Sequence, residues 1–238
     1  MVTSFGRTST VADHPCRRTT RFLMKLSAYL REHTRGHHDR IEAVPCMARL
    51  LAEDLGFEEY GAALARLYGY YRPLEARVYA APVPALVTAL ELRPKHPALA
   101  ADLGAWGLRR QTLPMAATGD LPRLDSEGAR CGALYVLEGA TLGGTVLARR
   151  LRAVLGARVD GALRFHGFYG EATGAHWRRF RDVLDTHCGA DSAGAAEALR
   201  GAVEVYDSMT RWLEDAPSIH GATPELTALF QTDTDVFS

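Results

Sequence analysis

Three histidines fall within six residues of LREHTRGHHDRIE, the stretch from Leu30 to Glu42. Imidazole is the commonest metal ligand and carries protons near neutral pH, so this cluster is the first candidate for chemistry. At about 100° per residue, Leu26, Leu30, His33, His37, Ile41 and Val44 share one helical stripe, which marks a core face. Arg31, His38 and Glu42 share a neighbouring face, with Thr34 between the two. Pattern alone favours His33 and His37 as core histidines and leaves the second face to solvent. That second face nonetheless carries a chemical possibility. His38 is placed to ligate a metal. Glu42, one turn later, is placed to orient the imidazole or a bound water, and Arg31, two turns earlier, to meet an anion. Such a face suits a metal-centred cofactor with acidic substituents.

A second stretch raises a different question. YVLEGATLGGTVLARR, Tyr135 to Arg150, has helical character throughout except at Gly139, Gly143 and Gly144. Each glycine in a helix interior costs roughly 1 kcal/mol relative to alanine, so the three together cost about 3 kcal/mol. Two readings explain that cost: close packing against another helix, or a flat ligand approaching the helix backbone.

Composition narrows the function classes. The chain has 238 residues, 47% hydrophobic, with 28 basic and 28 acidic side chains. The balanced charge gives no global field that favours nucleic acid or an acidic membrane surface. Cys16, Cys46, Cys131 and Cys188 lie far apart with no C-x-x-C pair, which argues for reduced thiols and against a disulfide framework or a structural zinc. No apolar run approaches the roughly 20 residues needed to span a bilayer. The basic RRTTRFLM stretch is followed by a polar segment, so it does not read as an export signal, and a cytoplasmic protein is expected. No Glu-x-x-His pair occurs, which argues against a di-iron carboxylate centre. No dinucleotide glycine fingerprint occurs either, so any electrons come from outside.

The rest of the chain must position these groups. Convincing strand alternation is absent, and the sequence reads as helices separated by Pro and Gly. Expected helices cover 24–44, 47–54, 57–80 with a kink or break at Pro73, and 98–112. The glycine-bearing helix is capped by Asp125 or Ser126 and reaches about 155. Two more follow a loop over 156–172. The expected organisation is all-α: a polar tail over 1–22, with Met24 as an alternative start, a helical domain over 23–216 and a C-terminal tail over 217–238.

Taken together, the two stretches resemble haem oxygenases. Leu30, Arg31, Thr34 and Glu42 match that family's proximal helix and place its iron-ligating histidine at His38. LYVLEGATLGG is similar to the distal helix of bacterial members, and the resemblance is closest to those associated with phytochromes. FYGEATGAHWRRF and VYDSMTRWL resemble later helices. The resemblance runs from about Leu26 to Leu213. It implies a single-domain, multi-helical fold with haem b sandwiched between a proximal and a distal helix. It also implies oxygen-dependent opening of the haem to biliverdin, carbon monoxide and ferrous iron. Electrons would come from a ferredoxin, flavodoxin or reductase, and a bacteriophytochrome is the implied recipient of biliverdin.

By the same resemblance His38 is the metal ligand, supported by Glu42. Gly139, Gly143 and Gly144 form the distal roof. Arg31, with Arg178 and Arg179 as further candidates, meets the propionates. Thr34, Tyr135 and Tyr206 contribute to the haem wall. One position departs from the pattern. Ala140 stands where some members carry an aspartate that organises distal water. Thr141 or backbone carbonyls are then the candidates for that role, and the alternative is a haem carrier of the same fold without turnover. Arg149, Arg150, Arg178, Arg179 and Arg181 are a candidate docking surface for the electron donor.

Overall fold

A computed structural model describes residues 24–81, 83–188 and 192–215. Its regular elements are α1 (Leu26–Ala43), α2 (Pro45–Arg49), α3 (Phe57–Ala80), α4 (Pro84–Leu90), α5 (His96–Ala105), α6 (Glu127–Leu155), α7 (Thr173–His187) and α8 (Ser192–Glu214), with short 3-10 turns between α5 and α7. No strand occurs among the described residues. The expected tails over 1–22 and 217–238, and Cys16, lie outside them.

The longest helix, α6, runs along α8, and α8 in turn packs on α1. Small residues permit the first contact. A Cβ on Gly132 would collide with the backbone of Ala198, and one on Gly201 with the backbone of Ala129. α1 and α6 therefore flank α8. Asp185 near the end of α7 closes the arrangement. Its carboxylate accepts from the Ser27 backbone N–H at 2.7 Å and from the Ser27 hydroxyl at 2.9 Å, at the start of α1. By length and composition α6 is apolar enough to cross a membrane, but 56% of its apolar window is buried inside the fold, as befits a core helix.

Several local expectations change for physical reasons. Pro73 neither breaks nor ends α3. Proline removes the N–H that would bond to the carbonyl four residues earlier, and that carbonyl belongs to Gly69. Here the Ala116 N–H donates to Gly69 O at 3.0 Å, so the lost bond is replaced from outside the helix. α5 starts at His96, not 98, because Pro97 sits in the first turn where no N–H is required. It stops at Ala105, short of the expected 112, and Gly107 follows at φ 79°. On α1 the buried stripe passes through Thr34 and not His33, which is exposed.

The expectation of unpaired thiols also fails. Cys131 of α6 and Cys188, just past α7, form a disulfide with Cα atoms 6.6 Å apart. Sequence spacing conceals the pair because α7 returns alongside α6 only in the folded chain. The bond closes a loop of 57 residues. We expect Cys188→Ala to lower the stability of the oxidised protein by about 2–4 kcal/mol. Urea unfolding with and without dithiothreitol checks this, and the reductant should lower the wild-type midpoint but not the variant's.

Candidate active site

The site forms where α1 and α6 stand on either side of α8. On α1, His38 is half exposed (51% of its side chain), and its Nδ1 lies 3.6 Å from Glu42 Oε2 and 4.0 Å from Asp39 Oδ1. Their ligand atoms fall within 4.8 Å of one another, which makes this the one grouping of three or more His, Cys, Asp or Glu ligand atoms that close among the described residues. His37 is spent otherwise. Its Nδ1 lies 2.7 Å from Asp207 Oδ1 on α8, and Arg40 donates to the same oxygen at 2.9 Å. The adjacent histidines are thus separated by function: His37 ties α1 to α8, and His38 faces outward beside a carboxylate.

Tyr206 of α8 forms part of the floor. Its ring meets the His38 ring edge-on at 6.1 Å. Burial pushes its phenol up, and the neighbouring Tyr135 of α6 and Glu42 of α1 push it further, so all three elements converge on it. Burial likewise raises the Tyr135 phenol, opposed by the guanidinium groups of Arg31 and Arg181. One end of the trough is therefore cationic. Arg181 has a second mark: its Nε is buried and has no hydrogen-bond partner. Such a donor is costly unless an anion or water meets it.

α6 lies on the other side of α8. Leu142 (38% exposed) and Val146 (62%) present apolar surface to solvent, and Ala140 and Gly143 are exposed beside them. A Cβ on Gly143 would meet nothing within 4 Å. The other two glycines answer to protein neighbours. Gly144 abuts the backbone of His166, where a Cβ would lie 2.7 Å from the carbonyl oxygen. Gly139 faces the indole of Trp177, whose Cη2 would lie 3.4 Å from a Cβ. The three glycines thus divide between the two readings of the sequence, and Gly144 leaves the expected roof.

Several other expected residues engage protein groups. Thr34 is buried and its hydroxyl donates to Leu30 O at 2.7 Å. Thr141 is buried and donates to Glu138 O at 2.6 Å, so its proton is committed within α6. Arg179 donates to Ala89 O of α4 at 2.6 Å, and Arg178 is exposed on α7. Arg181 lies close to the Tyr135 phenol instead. Trp177 and Arg181 are one turn apart on α7, and that i, i+4 spacing was the available signal. Of the wider basic surface, Arg150 is engaged with Leu51 O and Glu53. A cavity of about 360 Å³ lies apart from the trough, beside the disulfide, lined by Glu127, His187 and Glu197 among others.

A buried polar cluster backs the α6 wall. Lys95 Nζ donates to Glu138 Oε1 at 2.5 Å, the Tyr169 hydroxyl donates to Glu138 Oε2 at 2.9 Å, and His176 Nε2 lies 3.2 Å from the same oxygen. Sequence reading passed over Glu138 because its apolar neighbours gave no sign that a carboxylate there is paired.

The "Heme oxygenase" family model matches residues 24–215, the whole described span. The chain belongs to the haem oxygenase family. A heme oxygenase of Xanthomonas campestris pv. campestris is 38% identical over 118 residues, a stretch that covers 49% of this chain and 65% of that relative's length. Solved structures share the fold. The heme oxygenase of Leptospira interrogans superposes with a TM-score of 0.68 at 18% identity, covering 80% of this chain and 99% of that one. The NO- and CO-bound enzyme of Neisseria meningitidis gives 0.66 at 21%, covering 84% and 100%. The heme complex of heme oxygenase-1 from the cyanobacterium Synechocystis sp. PCC6803 gives 0.63 at 17%, covering 80% and 91%.

The residues of the trough fit a haem. An exposed imidazole with a carboxylate behind it is a ligand set for iron. Gly143 leaves α6 open at the backbone, Leu142 and Val146 offer apolar surface for a porphyrin face, and the unsatisfied Arg181 Nε awaits an acceptor such as a propionate.

Proposed function

We propose that this chain is a haem oxygenase that uses oxygen and external electrons to convert haem b to biliverdin, carbon monoxide and ferrous iron. The observation that carries the reading is the pairing of an outward His38–Glu42 dyad on α1 with the open, apolar face of α6 around Gly143. Haem, as substrate, supplies both the redox-active iron and the carbon that is oxidised.

The protein's own groups do the rest. His38 offers an imidazole nitrogen as ligand, and the Glu42 carboxylate fixes the ring's orientation through Nδ1. Leu142 and Val146 exclude water from the α6 side. Arg31 and Arg181 hold the carboxylate edge. The exposed α6 residues Ala140, Leu142, Gly143 and Val146 carry no polar side chain, so backbone groups of α6 order the water that delivers protons. A ferredoxin, flavodoxin or reductase supplies electrons, in the cytoplasm, and a bacteriophytochrome is a fitting recipient of the biliverdin.

Reduced ferredoxin and a ferredoxin reductase, added to the haem complex in air, should convert haem to a bilin. Haem that binds tightly and survives this treatment would favour the carrier reading, with Ala140 and the committed Thr141 as its basis. We expect Arg181→Ala and Arg31→Ala each to weaken haemin binding by about three- to tenfold, more at low than at high ionic strength, because each removes a charge-assisted contact. Haemin titration followed by absorbance measures both. Arg179→Ala serves as the control and should leave affinity unchanged.

A further inference from the structure

We infer that Trp177 sets the in-plane orientation of the haem and thereby selects the carbon that is oxidised. The inference rests on the reading of the trough as a haem site. Trp177 projects from α7 against Gly139, and its indole is the nearest neighbour a Cβ there would meet, at 3.4 Å. The ring is held from several sides. Phe180 stacks on it at 5.4 Å with planes 10° apart, Tyr135 lies 5.4 Å away, and the Arg181 guanidinium sits 5.8 Å over it. It is only partly buried, so an edge remains available to a ligand.

This placement divides the α6 wall. At Gly139 the wall is covered by a rigid indole, and one turn later, at Gly143, it is bare. The indole also adjoins the cationic end, with the Arg181 guanidinium 5.8 Å and the Tyr135 ring 5.4 Å from it. Haem is not symmetric about its axis: one edge carries two carboxylates, and the others carry methyl and vinyl groups. Turning the plate about its axial ligand would carry the carboxylates away from Arg31 and Arg181 and press an apolar edge toward Trp177. The arginines attract one edge, and the indole blocks the alternatives. Specificity of this kind needs the repulsive element as well as the attractive one.

The test is proton NMR of the low-spin ferric cyanide complex, whose shifted haem methyl signals report in-plane orientation without turnover. Wild type should give one dominant set. Trp177→Leu should raise a second set, changing the ratio by about two- to tenfold, the size that loss of one aromatic contact supports. The biliverdin isomers should shift in the same sense. Gly139→Ala provides an independent route, since it improves helix propensity and pushes the indole by a few tenths of an ångström. It should alter the ratio in the wild-type background but not with Trp177→Leu already present, a non-additivity expected of residues in contact. An unchanged single set in both Trp177→Leu and Gly139→Ala, with haem bound, would overturn the role of Trp177. Failure of wild type to bind haem would instead overturn the site itself.

Discussion

Replacing His38 with alanine should remove the histidine-type Soret spectrum of the haem complex and lower turnover by more than about a hundredfold, while His37→Ala should retain both. The magnitude follows from the loss of the iron ligand itself, since loss of a supporting partner alone costs 10- to 100-fold. The contrast follows from geometry. His37 has 22% of its side chain exposed and is bound to Asp207, so its removal costs a cross-helix hydrogen bond worth about 1 kcal/mol. His38 is 51% exposed, with the Glu42 and Asp39 carboxylates beside it. Added imidazole should restore the spectrum of His38→Ala. A His37→Ala protein that loses the Soret band while His38→Ala keeps it would reverse the assignment.

Removing Glu138 should have the largest effect on stability. Burial alone would raise its carboxyl, but the Lys95 ammonium and the hydrogen bonds from His176, Lys95 and Tyr169 outweigh burial and hold it below its ordinary 4.5. Glu138→Leu leaves the Lys95 ammonium, itself 2% exposed, without a counter-charge. The expected cost is about 3–5 kcal/mol, or roughly a 10 °C fall in Tm for a chain of this length. Lys95→Met combined with Glu138→Leu should recover part of the loss, because the charge is gone but Tyr169 and His176 still lack their acceptor. The pH dependence has a defined sign. A carboxylate depressed in the folded state stabilises above its unfolded value and loses that contribution as pH falls through the folded one. The wild type should therefore lose stability below about pH 4.5 more steeply than the double variant, as thermal melts across that range would show.

The sequence made some of this legible and hid the rest for definite reasons. α1, α6, α7 and α8 were readable because periodicity and caps are local. Ser126, expected as one of two caps for α6, does accept from the Ala129 N–H. The proximity of His38 and Glu42 was readable because the two lie one turn apart on the same helix. Groups whose meaning depends on another element were not. Pro73 keeps α3 intact only through Ala116, more than 40 residues on. Gly144 is a glycine because of the backbone at His166, not because of a ligand. That Arg181 lies beside Tyr135 depends on which side of α7 faces α6. The Cys131–Cys188 pair required knowing that two distant helices meet.

The central claim is that the trough binds haem through His38 and consumes it. It is tested most directly by the absorption spectrum of the full chain with one equivalent of haemin, followed after ascorbate is added in air with catalase present to remove free peroxide. The account predicts a histidine-type Soret band that decays while a bilin band rises. A Soret band that persists, or none at all, would contradict it.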